Sequence, residues 1–312
     1  MRDDAGGKDS AVMMEKGLDV YLDQSASLRG RPRTVRRLPG GLTNRNYHVI
    51  TPDGAFVARL AIDGTELLGI DRDREYRNSL AAATTVGAPV IDYLPAEKML
   101  VVGFIEGRTL GNHEVAANVG RVARACRALH RGPRFGNDFD MFDVQRAYLA
   151  TVRDRGFRLP GNYELLAGPF GEMRRALAAT ADVTVPCNND LLAANFIDDG
   201  SRIWLIDYEY SGNNDPCFEL GNIWAECQLS VDALAELVAA YYGRPRRSKL
   251  ARARLLGLAG KYGWTLWGAI QHAVSPIEFD FWSWAMERFE GAAAGLTGPA
   301  FGRLLQEVQH DD

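Results

Sequence analysis

Cys187-Asn188-Asn189-Asp190-Leu191-Leu192-Ala193-Ala194-Asn195-Phe196, followed by Ile203-Trp204-Leu205-Ile206-Asp207-Tyr208-Glu209-Tyr210, is the stretch whose reading decides the fold. Val183 to Val185 reads as a strand, residues 187–196 as a polar loop, and Ile203 to Ile206 as an apolar strand closed by a carboxylate. Asn188-Asn189-Asp190 and Asp198-Asp199-Gly200 could serve as ordinary turns. That does not explain Asp207, a carboxylate at the end of an apolar run. Asp190, Asn195 and Asp207 are oxygen-bearing side chains on two neighbouring segments, a donor set that suits Mg²⁺ beside substrate phosphates. An Asp, an Asn five residues on, and an Asp after a hairpin-like turn is the spacing of a phosphoryl-transfer loop and its metal-binding aspartate.

Asn189-Asp190-Leu191-Leu192, Asn195-Phe196, Trp204 to Tyr210 and Glu219-Leu220-Gly221-Asn222 resemble the choline/ethanolamine kinase family, which shares its fold with protein kinases and aminoglycoside phosphotransferases. The resemblance runs from about Leu38 to about Phe289 and departs at Asn188, where the family usually has His. It implies an α+β fold of two lobes, with a small antiparallel-sheet N-lobe over residues 1–106 and a mainly helical C-lobe over 107–312. Asp190 is then the catalytic carboxylate, and Asn195 and Asp207 hold Mg²⁺ against ATP.

Upstream, Thr34 to Leu38, Tyr47 to Ile50 and Phe56 to Leu60 read as strands, with Pro39-Gly40-Gly41-Leu42-Thr43-Asn44-Arg45-Asn46 joining the first two. Residues 11 to about 28 carry loose helical periodicity. Glycines let main-chain N–H groups close over phosphates, and a cation on the third strand contacts them. Gly-Gly alone is weak, and no Walker A sequence is present. Its place upstream of Asp190 strengthens it, and the resemblance assigns Thr43, Asn44, Asn46 and Arg59 to the nucleotide. Asp71 to Val86 reads as a helix carrying Glu75, the expected partner of Arg59. Two further strands, Val90 to Tyr93 and Met99 to Ile105, lead to a hinge at Glu106-Gly107, with adenine expected near Gly103 and Ile105.

Asn112 is expected to cap a helix running through Val115, Val122 and Leu129, with further helices from Phe142 to Leu159 and from Glu164 to Ala179. Four of the six Trp fall in residues 261–289. Ser275-Pro276-Ile277-Glu278 has the form of a capping box and predicts a helix start. Trp264 and Trp267 share one helix face, and Phe281 and Trp284 another. Such a stripe is more often core, but facing aromatic walls also hold quaternary ammonium groups. The resemblance adds Glu226 as the negative charge and Tyr210 to that wall, with Trp282 left to packing.

Composition agrees with a small-molecule enzyme. Net charge is −4, which argues against a general nucleic-acid binder, and no apolar run is long enough for membrane insertion. The N-terminal residues lack the apolar core of a signal peptide, and four cysteines without metal-finger spacing suggest a reducing, cytoplasmic setting. Choline is the expected acceptor. Ethanolamine, an aminoglycoside-like amine, and a pseudokinase motivated by Asn188 are the alternatives. Oligomeric state is open, a homodimer included.

Overall fold

The computed structural model describes residues 17–310, which fall into two compact units. The first comprises residues up to Thr65 together with Ala88–Ile105; the second comprises Glu66–Gly87 and Glu106 onward. Only residues 17–22 of the expected N-terminal helix are helical within the described chain, and the rest of that expectation lies outside it.

The first unit is a five-stranded antiparallel sheet in the order β1-β2-β3-β5-β4. Its strands are β1 (Thr34–Arg37), β2 (Asn44–Thr51), β3 (Gly54–Ala61), β4 (Val90–Leu94) and β5 (Met99–Gly103). β2 and β3 are longer than the sequence suggested, because pairing runs from Asn44↔Ala61 to Thr51↔Gly54. Tyr47, Val49, Ala58, Met99 and Val101 alternate inward and pack on Leu18, Leu22 and Leu28. The turn before β2 needs its glycines. Gly40 and Gly41 have φ of +84° and +85°, and a Cβ on Gly41 would strike the carbonyl of Asn44.

In the second unit, Arg72–Ala82 is helical, with Asp71 as its N-cap accepting from the Arg74 N–H. The first unit ends at Ile105, and residues 66–87 group with the helical unit and not with the sheet. Two small sheets carry the polar loop: β7 (Val185–Cys187) with β10 (Gly212–Asn214), and β6 (Arg108–Thr109), β8 (Phe196–Asp198) and β9 (Ile203–Leu205) in the order β6-β8-β9. β7 therefore starts two residues later than expected. Val183 is exposed, and pairing begins only where Val185 meets Asn214.

Three helix expectations are corrected. The helix expected from Asn112 is two, Asn112–Ala117 and Val119–His130, because Asn118 turns its side chain back to the Glu114 carbonyl and leaves helical geometry. Glu164 to Ala179 opens with a 3₁₀ turn at Tyr163–Leu166 before the helix Ala167–Ala179. No helix starts at Ser275; it starts at Phe281, with Asp280 accepting from Ser283 N–H at 2.9 Å. The Ser275 hydroxyl accepts instead from Ile277 N–H, in a local turn.

The buried spine of this unit is the helix Arg247–Val274, flanked by Pro216–Glu226, Met141–Arg155 and Phe281–Thr297. Gly221 and Gly257 make its closest approach. A Cβ on Gly221 would collide with the Ala253 carbonyl, and one on Gly257 would lie 2.6 Å from the Gly221 carbonyl. The glycine in Glu219-Leu220-Gly221-Asn222 is thus a packing requirement between two helices.

Candidate active site

Asp190 stands at the end of a loop held mostly through its own main chain. Glu219, fully buried, accepts the Asn188 N–H on Oε1 at 2.9 Å and the Asn189 N–H on Oε2 at 2.8 Å. Charge-assisted bonds to N–H groups are the strong kind. Asn189 adopts φ +68°, and its Nδ2 donates to the Tyr210 carbonyl at 3.0 Å. Asn188 Nδ2 donates to the carbonyls of Ile206 and Asp207, and its Oδ1 accepts from Asp190 N–H at 3.1 Å. Asn195 Nδ2 donates to the Asp190 carbonyl at 2.7 Å, and Ile206 N–H to the Asn195 carbonyl at 3.1 Å. Asp190, Asn195 and Asp207 are therefore linked in one hydrogen-bonded assembly.

Asp207 has φ +65°, a left-handed conformation for a residue with a Cβ. Strain of that kind amounts to about 1–3 kcal/mol and concentrates where a side chain must be aimed. Asp190 feels its neighbours: desolvation first, then the charges of Asp207, Glu209 and Glu226, push its carboxyl well above the usual carboxylate range, and Arg288 opposes them. Asn195 and Asp207 supply the hard oxygen donors that Mg²⁺ prefers, so the residues present fit that ion. A second group, His130, Cys187 and Glu219, has potential ligand atoms within 4.8 Å of one another, all buried. There Glu219 is already committed to two main-chain N–H groups, so this cluster reads as support for the loop.

The expected nucleotide residues divide between the units. In the first, Thr43 and Asn44 are buried where β2 begins, and Asn46 stands directly across from Arg59 in the β2–β3 register. Asn46 Oδ1 is a buried acceptor without a protein partner. Gly103 ends β5, its N–H bonded to the Pro89 carbonyl at 2.7 Å, and Ile105 closes the unit. Glu75 belongs to the second unit, where Arg72 bridges it at 2.7 Å to Glu209 at 3.0 Å.

The aromatic residues do assemble. Trp267 lies 5.1 Å from Trp284 and 5.8 Å from Phe281 between ring centroids, and its indole N–H donates to the Tyr210 hydroxyl at 2.8 Å. Trp264 lies 5.0 Å from Tyr210, and its own indole N–H is buried without a partner. Trp282 points elsewhere, towards His272 and under Arg158. The residue the sequence did not disclose is Arg288. It pairs with Glu226 at 2.6 Å and lies 3.7 Å from the Trp284 ring centroid. Its only sequence signal is the four-residue step from Trp284 on one helix.

A carboxylate on a loop tied by hydrogen bonds to a second, aspartate-bearing segment is an arrangement that suits phosphoryl transfer. Residues 34–256 match the phosphotransferase enzyme family, so the chain belongs to it. A choline/ethanolamine kinase family protein from Mesorhizobium loti is similar over 95% of this chain and 99% of that one, with 30% identity and a TM-score of 0.83. That likeness places the chain among the choline/ethanolamine kinases, with a protein-kinase-like fold and an alcohol group as phosphoryl acceptor. Among curated relatives, Protein LicA of Haemophilus influenzae is 28% identical over 65% of this chain and 61% of its own length. Ethanolamine kinase 2 of Mus musculus is 27% identical over 83% of this chain and 76% of its own. No helix among the described residues is long and apolar enough to cross a membrane.

Proposed function

We propose that this protein transfers the γ-phosphoryl group of ATP to the hydroxyl of choline, giving phosphocholine. The observation that carries the choice of acceptor is the aromatic assembly of Trp264, Trp267, Tyr210 and Trp284. Aromatic faces attract an alkylated ammonium by about 0.5–2 kcal/mol each and ask for no N–H donors in return. Asp190 orients the acceptor hydroxyl and accepts its proton as the oxygen attacks. Asn195 and Asp207 hold Mg²⁺, which would neutralise charge on the phosphates. Arg59, Thr43, Asn44 and Asn46 hold the nucleotide, with the main chain at Gly103 and Ile105 meeting the base. Positioning and electrostatics carry most phosphoryl transfer, so little else is required of the side chains. Four buried cysteines, none in a disulfide, support a reducing, cytoplasmic setting.

The test is ADP release with choline, ethanolamine and a panel of aminoglycosides. Choline is expected to give the highest kcat/KM, and a clear preference for any other acceptor overturns the assignment.

A further inference from the structure

We propose that Arg288 is a specificity-determining residue that acts through Glu226, withholding that carboxylate from N–H donors so that an alkylated ammonium is favoured over a primary one. The proposal rests on the amino-alcohol kinase reading above.

The family resemblance made Glu226 the negative charge that meets the acceptor. In the structure that charge already has a cation. Arg288 Nη2 donates to Glu226 Oε2 at 2.6 Å, with the two side chains only 13% and 7% exposed. The guanidinium also lies over Trp284, whose indole contacts Trp267. It therefore takes one aromatic face and one carboxylate oxygen of the acceptor wall together. The pair is single-pronged, since Glu226 Oε1 and Arg288 Nε are both buried without partners. Glu226 is left with one uncommitted oxygen and with its charge largely offset at contact distance.

Consider what each acceptor then meets. A primary ammonium has three N–H donors, and leaving buried donors unmatched is unfavourable. Around this wall the Tyr210 hydroxyl already accepts from Trp267, Trp264 Nε1 is itself a donor, and Glu226 Oε2 is taken. Glu226 Oε1 remains as the one orphaned acceptor among these groups. A trimethylammonium has no N–H to match and makes full contact with the indole faces. Arg288 thereby biases the wall towards the poorly hydrated cation, and removing it returns both oxygens of Glu226 to N–H donors.

The experiment is steady-state kinetics of wild type, R288M, E226Q and R288M/E226Q with choline and ethanolamine. In R288M the ethanolamine-to-choline ratio of kcat/KM is expected to rise about tenfold, through the KM for ethanolamine, with the KM for ATP unmoved. In the double variant that rise should vanish, because it passes through Glu226. R288Q carries the same comparison should R288M not fold. An unchanged ratio in R288M or R288Q, or a rise that survives E226Q, overturns the proposal. A wild type inactive on both acceptors overturns the kinase reading instead.

Discussion

Asn188 donates from its side-chain amide to the main-chain carbonyl of Asp207 at 2.8 Å, tying the loop that carries Asp190 to the segment that carries the Asp207 carboxylate. The same amide reaches the Ile206 carbonyl, while its oxygen accepts the Asp190 N–H. The family's usual His is absent here, and Asn supplies both a donor and an acceptor in its stead. The loop is held, which argues against a pseudokinase.

Asn188→Ala should therefore lower kcat by roughly tenfold to a hundredfold, about 1.4–2.7 kcal/mol of barrier, by loosening Asp190 and Asp207 together. Asn188→His should stay within about tenfold of wild type. Single-turnover rates on both variants check this; a wild-type rate for Asn188→Ala would show that the amide bonds are dispensable.

The roles proposed for the two carboxylates can be told apart. Asp190→Asn should retain nucleotide binding and lose orders of magnitude in kcat. Asp207→Ala should lose Mg²⁺-supported nucleotide binding. Titration with ATP, with and without Mg²⁺, distinguishes them, and full activity in Asp190→Asn would remove that residue from catalysis.

The strand beside Asn195 offers a pH test. Arg121 holds Asp198 at 2.5 and 2.7 Å, and that bond, with the Gly200 N–H, keeps the Asp198 carboxyl below the usual carboxylate range. A depressed folded-state pKa contributes stability that is present above the unfolded value, about 3.9, and lost as pH falls through the folded value. Both groups keep some solvent contact, so the contribution at neutral pH is about 1 kcal/mol or less. Arg121→Gln should melt below wild type at pH 7, and the difference should close as pH falls below the unfolded carboxylate value of about 3.9 and through the depressed folded one. A difference independent of pH would assign the loss to packing.

The loop, its strands and the aromatic helix pair were legible because each announces itself locally, in apolar runs, polar spacing or side chains three residues apart. The misplaced helix start shows the limit of such cues. Ser275 and Glu278 match a capping pattern, but Asp280 forms the cap actually used. The role of Glu219 was hidden for another reason: its partners are main-chain N–H groups, which no residue identity reveals. Arg288 gains Glu226 as a partner only when that residue, from a different helix, is brought against it.

Trp264 and Trp267 separate packing from recognition. Trp267 gives its indole N–H to Tyr210, whereas the Trp264 N–H is buried and unmatched. Replacing Trp267 with Leu removes a hydrogen bond along with the ring, while replacing Trp264 with Leu also removes an unsatisfied donor, so Trp264→Leu should melt closer to wild type. If both rings face the ammonium, both variants should nonetheless weaken choline by about 1–2 kcal/mol, with little change for ATP. Choline affinity and melting temperature should then be uncorrelated across the pair. Choline affinity that merely tracks melting temperature, in an enzyme that uses choline and ethanolamine equally, would assign both indoles to the core.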